Sequence, residues 1–160
     1  MATLLILFVL IVIGTFSAGI YSHKAPASGL IDGKLTPCPD KPNCVCSEYE
    51  TANAQNKILP LSTAGMDDST AWANLIAAVK VSGGSIQQHS DIYLHAIFTS
   101  SLFRFVDDFE ARLDTENRKI HIRSASRVGH SDLEVNRKRV EKIRREYDNH
   151  SPRRKVQVIQ

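Results

Sequence analysis

Apolar positions along this chain change rhythm three times. At the start there is no alternation: residues 4–13 are an unbroken apolar run, and no charged residue occurs from Ala2 to Ser22. About 20 such residues in a helix, rising about 1.5 Å each, cover the roughly 30 Å of a bilayer's hydrocarbon layer. The stretch 1–22 therefore predicts a transmembrane anchor or a signal segment. The start Met1-Ala2-Thr3 lacks the basic residues of a secretion signal, and the small residues Ser17, Gly19, Ala25 and Ala27 make only soft cleavage sites, so an uncleaved anchor is the expected form. Residues 23–34, with Pro26, Gly29 and Gly33, predict a linker.

The second rhythm is helical. Trp72, Leu75, Ile76 and Val79 recur on one face, Asp67-Asp68-Ser69 supplies a start signal and Gly83-Gly84 a stop, which predicts a helix over 69–82. The third has period two. Leu94, Ala96 and Phe98 alternate with Tyr93, His95 and Ile97, and Phe103, Phe105, Asp107, Phe109 and Ala111 share one face of the next strand. A turn near Thr115-Glu116-Asn117 leads to a third strand over 118–126. Ser131-Asp132-Leu133-Glu134 has capping-box spacing, so a second helix is expected over 133–148 with Val140, Ile143 and Tyr147 inward and Asn136 on the same side. These elements predict an α+β fold: an antiparallel sheet of about four strands with two helices on one face, behind an N-terminal transmembrane helix. One domain over 35–148 and a basic tail over 149–160 complete the plan.

Asp107 breaks its strand's pattern, because a carboxylate between Phe105 and Phe109 on an apolar face needs a partner. Antiparallel pairing brings Arg123 or Arg127 near Asp107 or Asp108, so an ion pair is expected there. With Ser126, His130, Asn136 and Arg137 these residues gather at a strand end and a helix start, an arrangement suited to cradling a phosphate or carboxylate group or a protein partner. A hydrolase or transferase using Asp107 or Asp108 with His130 or Ser126 is the catalytic alternative, although adjacent residues of a strand face opposite ways. A purely structural role is the third reading.

Charge changes this picture only modestly. The net charge is +3, but residues 118–160 hold 13 Lys and Arg against 5 Asp and Glu. The aromatic residues that interleave with basic ones in many single-strand binders are missing there, so no nucleic acid is expected, and Arg153, Arg154 and Lys155 suit a membrane surface as well. Cys38 and Cys44 bracket a loop with two prolines, and a Cys38–Cys44 disulfide is expected if the domain lies outside the cytoplasm, leaving Cys46 odd. The alternatives are a three-thiolate metal site, without the paired spacing of zinc ribbons, and a nucleophilic cysteine beside a histidine such as His130. No metal or cofactor is expected. Lys24 and Lys34 after the apolar run pull the domain toward the cytoplasm by the positive-inside rule, whereas the cysteine loop favours the extracytoplasmic, periplasmic-type side, which is the expected location.

Three blocks carry a family likeness: Gly29-Leu30 through Cys38-Pro39-Asp40-Lys41-Pro42-Asn43-Cys44-Val45, then Phe105-Val106-Asp107-Asp108-Phe109-Glu110, then the stretch from Arg123 to Asp132 with Asn136-Arg137 and Arg139-Val140. Together, over roughly residues 29–147, the chain resembles the domain of unknown function 1499 family. The resemblance implies a domain set behind a hydrophobic N-terminus and brings no activity with it. Members usually have serine where this chain has Cys46 and tend to have glycine where it has Glu134, which weakens any shared chemistry at those two positions.

Overall fold

Alternation in the middle of the chain builds the sheet that everything else packs on. In the computed structural model, which describes residues 1–24, 28–49 and 54–151, the elements in order are helix α1 (Ala2–Ser22), strands β1 (Leu30–Ile31), β2 (Lys34–Leu35), β3 (Cys44–Cys46) and β4 (Leu61–Ser62), helix α2 (Asp68–Val81), strands β5 (Ser85–His89), β6 (Tyr93–Thr99), β7 (Val106–Asp114) and β8 (Lys119–Ser126), and helix α3 (Val135–His150). Part of the expected linker and the basic tail from residue 152, including Arg153, Arg154 and Lys155, lie outside the described residues. The fold is α+β, with an antiparallel sheet ordered β3-β8-β7-β6-β5 and β4 also on β8. That makes six strands where the sequence predicts about four. The added strands escape pattern reading for physical reasons. β3 and β4 are only three and two residues long, and β5 is mostly polar and exposed, so none has a full period to read.

The long hairpin of β7 and β8 sets the register, pairing Asp107 with Ser126, Phe109 with Ser124 and Glu110 with Arg123. Phe109, Ala111 and Leu113 of β7, Ile120 and Ile122 of β8, and Leu94 and Ala96 of β6 therefore face one side. There they meet Trp72, Leu75 and Val79 of α2 and Val140, Ile143 and Tyr147 of α3. Asp67 starts α2 by accepting from Thr70 N at 2.8 Å. Its carboxyl is held well below the usual range, chiefly by hydrogen bonds from Ser69 and Thr70.

The start of α3 departs from the expected capping box. Ser131 Oγ reaches only Leu133 N, at 3.4 Å, and Glu134 occupies the N-cap without a side-chain cap bond. Asp132 does the capping, one oxygen accepting from Glu134 N at 3.1 Å and the other from Asn136 N at 2.8 Å. The cause is local backbone geometry: Leu133 and Glu134 are both left-handed, at φ 54° and 64°, so the chain turns once more before helical bonds begin.

The N-terminal stretch is bound to the domain. Asp32 and Gly33, both at positive φ, form the two-residue turn between β1 and β2, inside the stretch read as linker. α1 is exposed along most of its length but buried at Gly19 and Ser22. A Cβ on Gly19 would come within 1.8 Å of the Phe103 carbonyl oxygen, so only glycine lets the helix lie this close to the 99–106 loop. Ser22 Oγ accepts from Val106 N at 3.0 Å.

Because Glu134 spends a left-handed conformation on a residue with a Cβ and makes no side-chain cap bond, Glu134→Gly is expected to stabilise the full chain by about 0.5–1 kcal/mol. A urea or thermal midpoint measured in detergent checks this, and an unchanged or lowered midpoint would contradict the strain argument.

Candidate functional site

Two polar clusters lie on opposite faces of β7. On the helix side, Asp107 meets Arg139 of α3 at 2.5 Å, and the same guanidinium lies 4.6 Å over the Phe98 ring. Asn136, the inward polar residue of α3, is satisfied on every side. Its amide oxygen accepts from Ser124 Oγ at 2.6 Å and from Arg139, while its nitrogen donates to Asp132 at 2.7 Å, Ser126 Oγ at 3.0 Å and the Asn43 carbonyl at 3.2 Å. Asn43 in turn donates to the Gly129 carbonyl at 2.8 Å, tying the disulfide loop to the turn before α3. A fully satisfied buried amide specifies one arrangement of the strands and helix around it.

The second face holds the charges that alternation assigns to solvent. They are buried instead. Glu110 has no exposed surface, and its carboxylate accepts from Arg123 at 2.9 Å, Tyr93 Oη at 2.7 Å and Gly29 N at 2.7 Å. Burial, and then the neighbouring Glu110 carboxylate, push the Tyr93 phenol far above its ordinary value. Asp108 takes a two-pronged bond from Arg127, at 2.8 and 2.9 Å, and lies 2.7 Å from His95 Nε2. Burial alone would raise the Asp108 carboxyl, but the His95 and Arg127 contacts outweigh it and hold the group below its usual range. Arg127 also donates to the carbonyls of Ser22 and His23, at 3.2 and 3.4 Å, so it caps the C-terminal end of α1. Further along this face Arg112 pairs with Glu48 at 2.6 Å, and Glu48 accepts from Leu35 N at 2.7 Å.

The residues singled out from sequence thus fall into separate places. Of the pairings that the strands leave open, Arg127 with Asp108 forms, whereas Arg123 goes to Glu110 and Asp107 to Arg139. Arg137 donates to the Gln55 and Lys57 carbonyls at 2.5 and 3.0 Å. His130 is exposed at the turn. Only Asp107, Ser126 and Asn136 stay together, beside a cleft of about 210 Å³ lined in part by Asp107, Ser126, Ser131 and Asp132. Two carboxylates and hydroxyls in that lining suit a hydrogen-bond donor better than an anion. Asp107 and Asp108 project from opposite faces of β7, so they cannot share a proton as a catalytic pair. Sequence reasoning missed Tyr93, His95, Glu110, Asn43 and the role of Arg139. The available signal was charge complementarity at equivalent strand positions, Glu110 opposite Arg123, which register alone makes legible.

Cys38 and Cys44 form the disulfide, with Cα atoms 5.6 Å apart. Cys46 is a free, buried thiol whose pKa burial pushes up, which opposes thiolate chemistry. Among the described residues no group of three or more His, Cys, Asp or Glu is placed to hold a metal ion.

Two measurements check these electrostatics. Asp108 is depressed in the folded state, so its contribution is present above the unfolded carboxyl value of about 3.9 and lost as pH falls through the folded value. The thermal midpoint of the full chain should therefore drop on acidification below about pH 4. Asp108→Asn should destabilise the chain at pH 7 by about 3–5 kcal/mol, for a buried guanidinium left unpaired, and so lower the midpoint, with a shallower acid limb. Maleimide should leave Cys46 unmodified in the folded chain and label it once urea unfolds the domain; rapid labelling of native protein would contradict the burial.

Among curated proteins none matches the chain. A family model described as "Protein of unknown function (DUF1499)" matches residues 34–147, which takes in β2 to β8, α2, most of α3, the disulfide and the charged side chains of both clusters. The chain belongs to the DUF1499 family.

Proposed function

We propose that this protein is a non-catalytic, membrane-anchored module of the cell envelope, with its domain on the extracytoplasmic side, that works by contact with another envelope component. The observation that carries the reading is the way α1 ends. Its last turn is built into the domain through Gly19, Ser22 and the Arg127 cap, so loss of the segment would strip Val106 N of its Ser22 Oγ partner and Arg127 of the Ser22 carbonyl. That supports a retained anchor over a cleaved signal. The span itself has a mean hydropathy of 2.6 and is almost wholly exposed, as a lipid-facing helix requires. The Cys38–Cys44 bridge supports an oxidising compartment.

The same contacts weigh against an anion cradle. Arg123 and Arg127 are held by carboxylates and Arg137 by carbonyls, so an incoming phosphate would have to displace internal partners. Contact through the outer surface, where Leu133 is 81% exposed at the start of α3, requires no such exchange.

Intact-mass measurement of the membrane-extracted protein should show residues 1–22 retained; a chain beginning after them would defeat the anchor. Leu133→Cys should react with a membrane-impermeant maleimide on intact cells, over a background set by the buried Cys46 of the unsubstituted chain. Labelling only after lysis would place the domain inside. Phosphorylated and carboxylated compounds should leave the thermal midpoint unmoved, and a stabilisation abolished by Arg127→Ala would restore the anion-binding reading.

A further inference from the structure

We propose that the loop 100–105 between β6 and β7 is a second membrane contact, which sets the tip formed by Leu102 and Phe103 into the bilayer interface beside α1. The inference rests on reading α1 as a membrane anchor and goes beyond it, because an anchor alone leaves the domain's orientation free. Phe103 is fixed to the helix at two points. Its ring meets Phe16 edge to face, with centroids 6.0 Å apart, and its carbonyl lies against the backbone of Gly19. Phe16 stands six residues before the helix end at Ser22, about 9 Å along the axis at the helical rise. A bilayer that covers α1 up to its last turn therefore also covers Phe103.

Leu102, next in the chain, is 67% exposed. The loop is held in shape by Ser100, whose N donates to the Phe105 carbonyl at 2.9 Å and whose Oγ accepts from Phe105 N at 2.9 Å. Those bonds close the base of the loop and leave Leu102 and Phe103 at its tip. Arg104 is exposed, and its carbonyl meets His23 Nε2 at 3.1 Å, with Lys24 next in sequence. An apolar tip bordered by Arg104, His23 and Lys24 matches the level where acyl chains give way to phosphates, and lipid is the occupant this arrangement fits. Other exposed apolar side chains, such as Leu59 and Val81, lack this continuity with the span.

Tryptophan quenching by lipids brominated high on the acyl chain tests the proposal on the full chain in nanodiscs. The unsubstituted chain has one tryptophan, Trp72, buried in α2, and sets the background. Phe8→Trp reports insertion of α1, and Ile92→Trp reports an exposed position at the opposite end of β6 from the loop. Leu102→Trp should lose about half or more of its added emission, as Phe8→Trp does, while Ile92→Trp does not. Quenching of Phe8→Trp without quenching of Leu102→Trp overturns the loop contact and leaves the anchor standing. Absence of quenching in both overturns the anchor as well. A blue-shifted but unquenched Leu102→Trp means that protein covers the tip, which also overturns the proposal.

Discussion

Charge neutrality within the second face of the sheet is the condition on which this architecture depends. Glu110, Asp108, Arg123 and His95 are all nearly or wholly removed from water. A single unpaired charge in such a place costs several kcal/mol. Each carboxylate therefore needs its cation at a fixed strand position, and the β7–β8 register supplies it by setting Glu110 opposite Arg123. A one-residue slip would carry these charges to the helix side and the phenylalanine side chain of 109 to the other. The face must also be covered. The β1–β2 hairpin and the end of α1 do this while bonding to the same charges: Gly29 N donates to Glu110, and the carbonyls of Ser22 and His23 accept from Arg127. The domain and its N-terminal segment thus share one electrostatic account.

Elements with a full period were legible in the sequence. α2, β6, β7, β8 and α3 each repeat their pattern at least twice, α1 is read from the length of its apolar run, and the disulfide followed from a short loop stiffened by proline. Short strands carry no period, so β3 and β4 emerge only once β8 offers them an edge. The α3 cap was misread because the Ser131 to Glu134 spacing assumes helical geometry from the first residue, while two left-handed residues displace it and give the work to Asp132. Glycine would suit position 134 better than glutamate does, since φ 64° favours a residue without a side chain.

The candidate site was legible as a set of residues but not as a set of contacts. Spacing along β7 and β8 limits which carboxylate faces which arginine, and Arg127 with Asp108 is one of the four pairings it leaves open. It has nothing to say of Arg139, which arrives from α3 by way of tertiary packing and claims Asp107 first. Asn136 shows the difference most clearly. From sequence it is an inward polar residue available to a ligand; in the fold its amide joins α3, β8 and the disulfide loop and has no bond to spare. What looked like a binding constellation is largely the fastening of a small domain.

Cys46 has a consequence for how the correct bridge comes to be made. In the unfolded chain three thiols lie within nine residues, and local distance does not favour the native pair over its rivals. Pairing of β3 with β8 sets Cys46 opposite Arg123 and closes the thiol away from oxidants, while Cys38 and Cys44 remain joined in the loop beyond. Selection of the right partner is thereby assigned to a strand contact spanning almost half the chain. A serine at position 46 would remove the need for that selection.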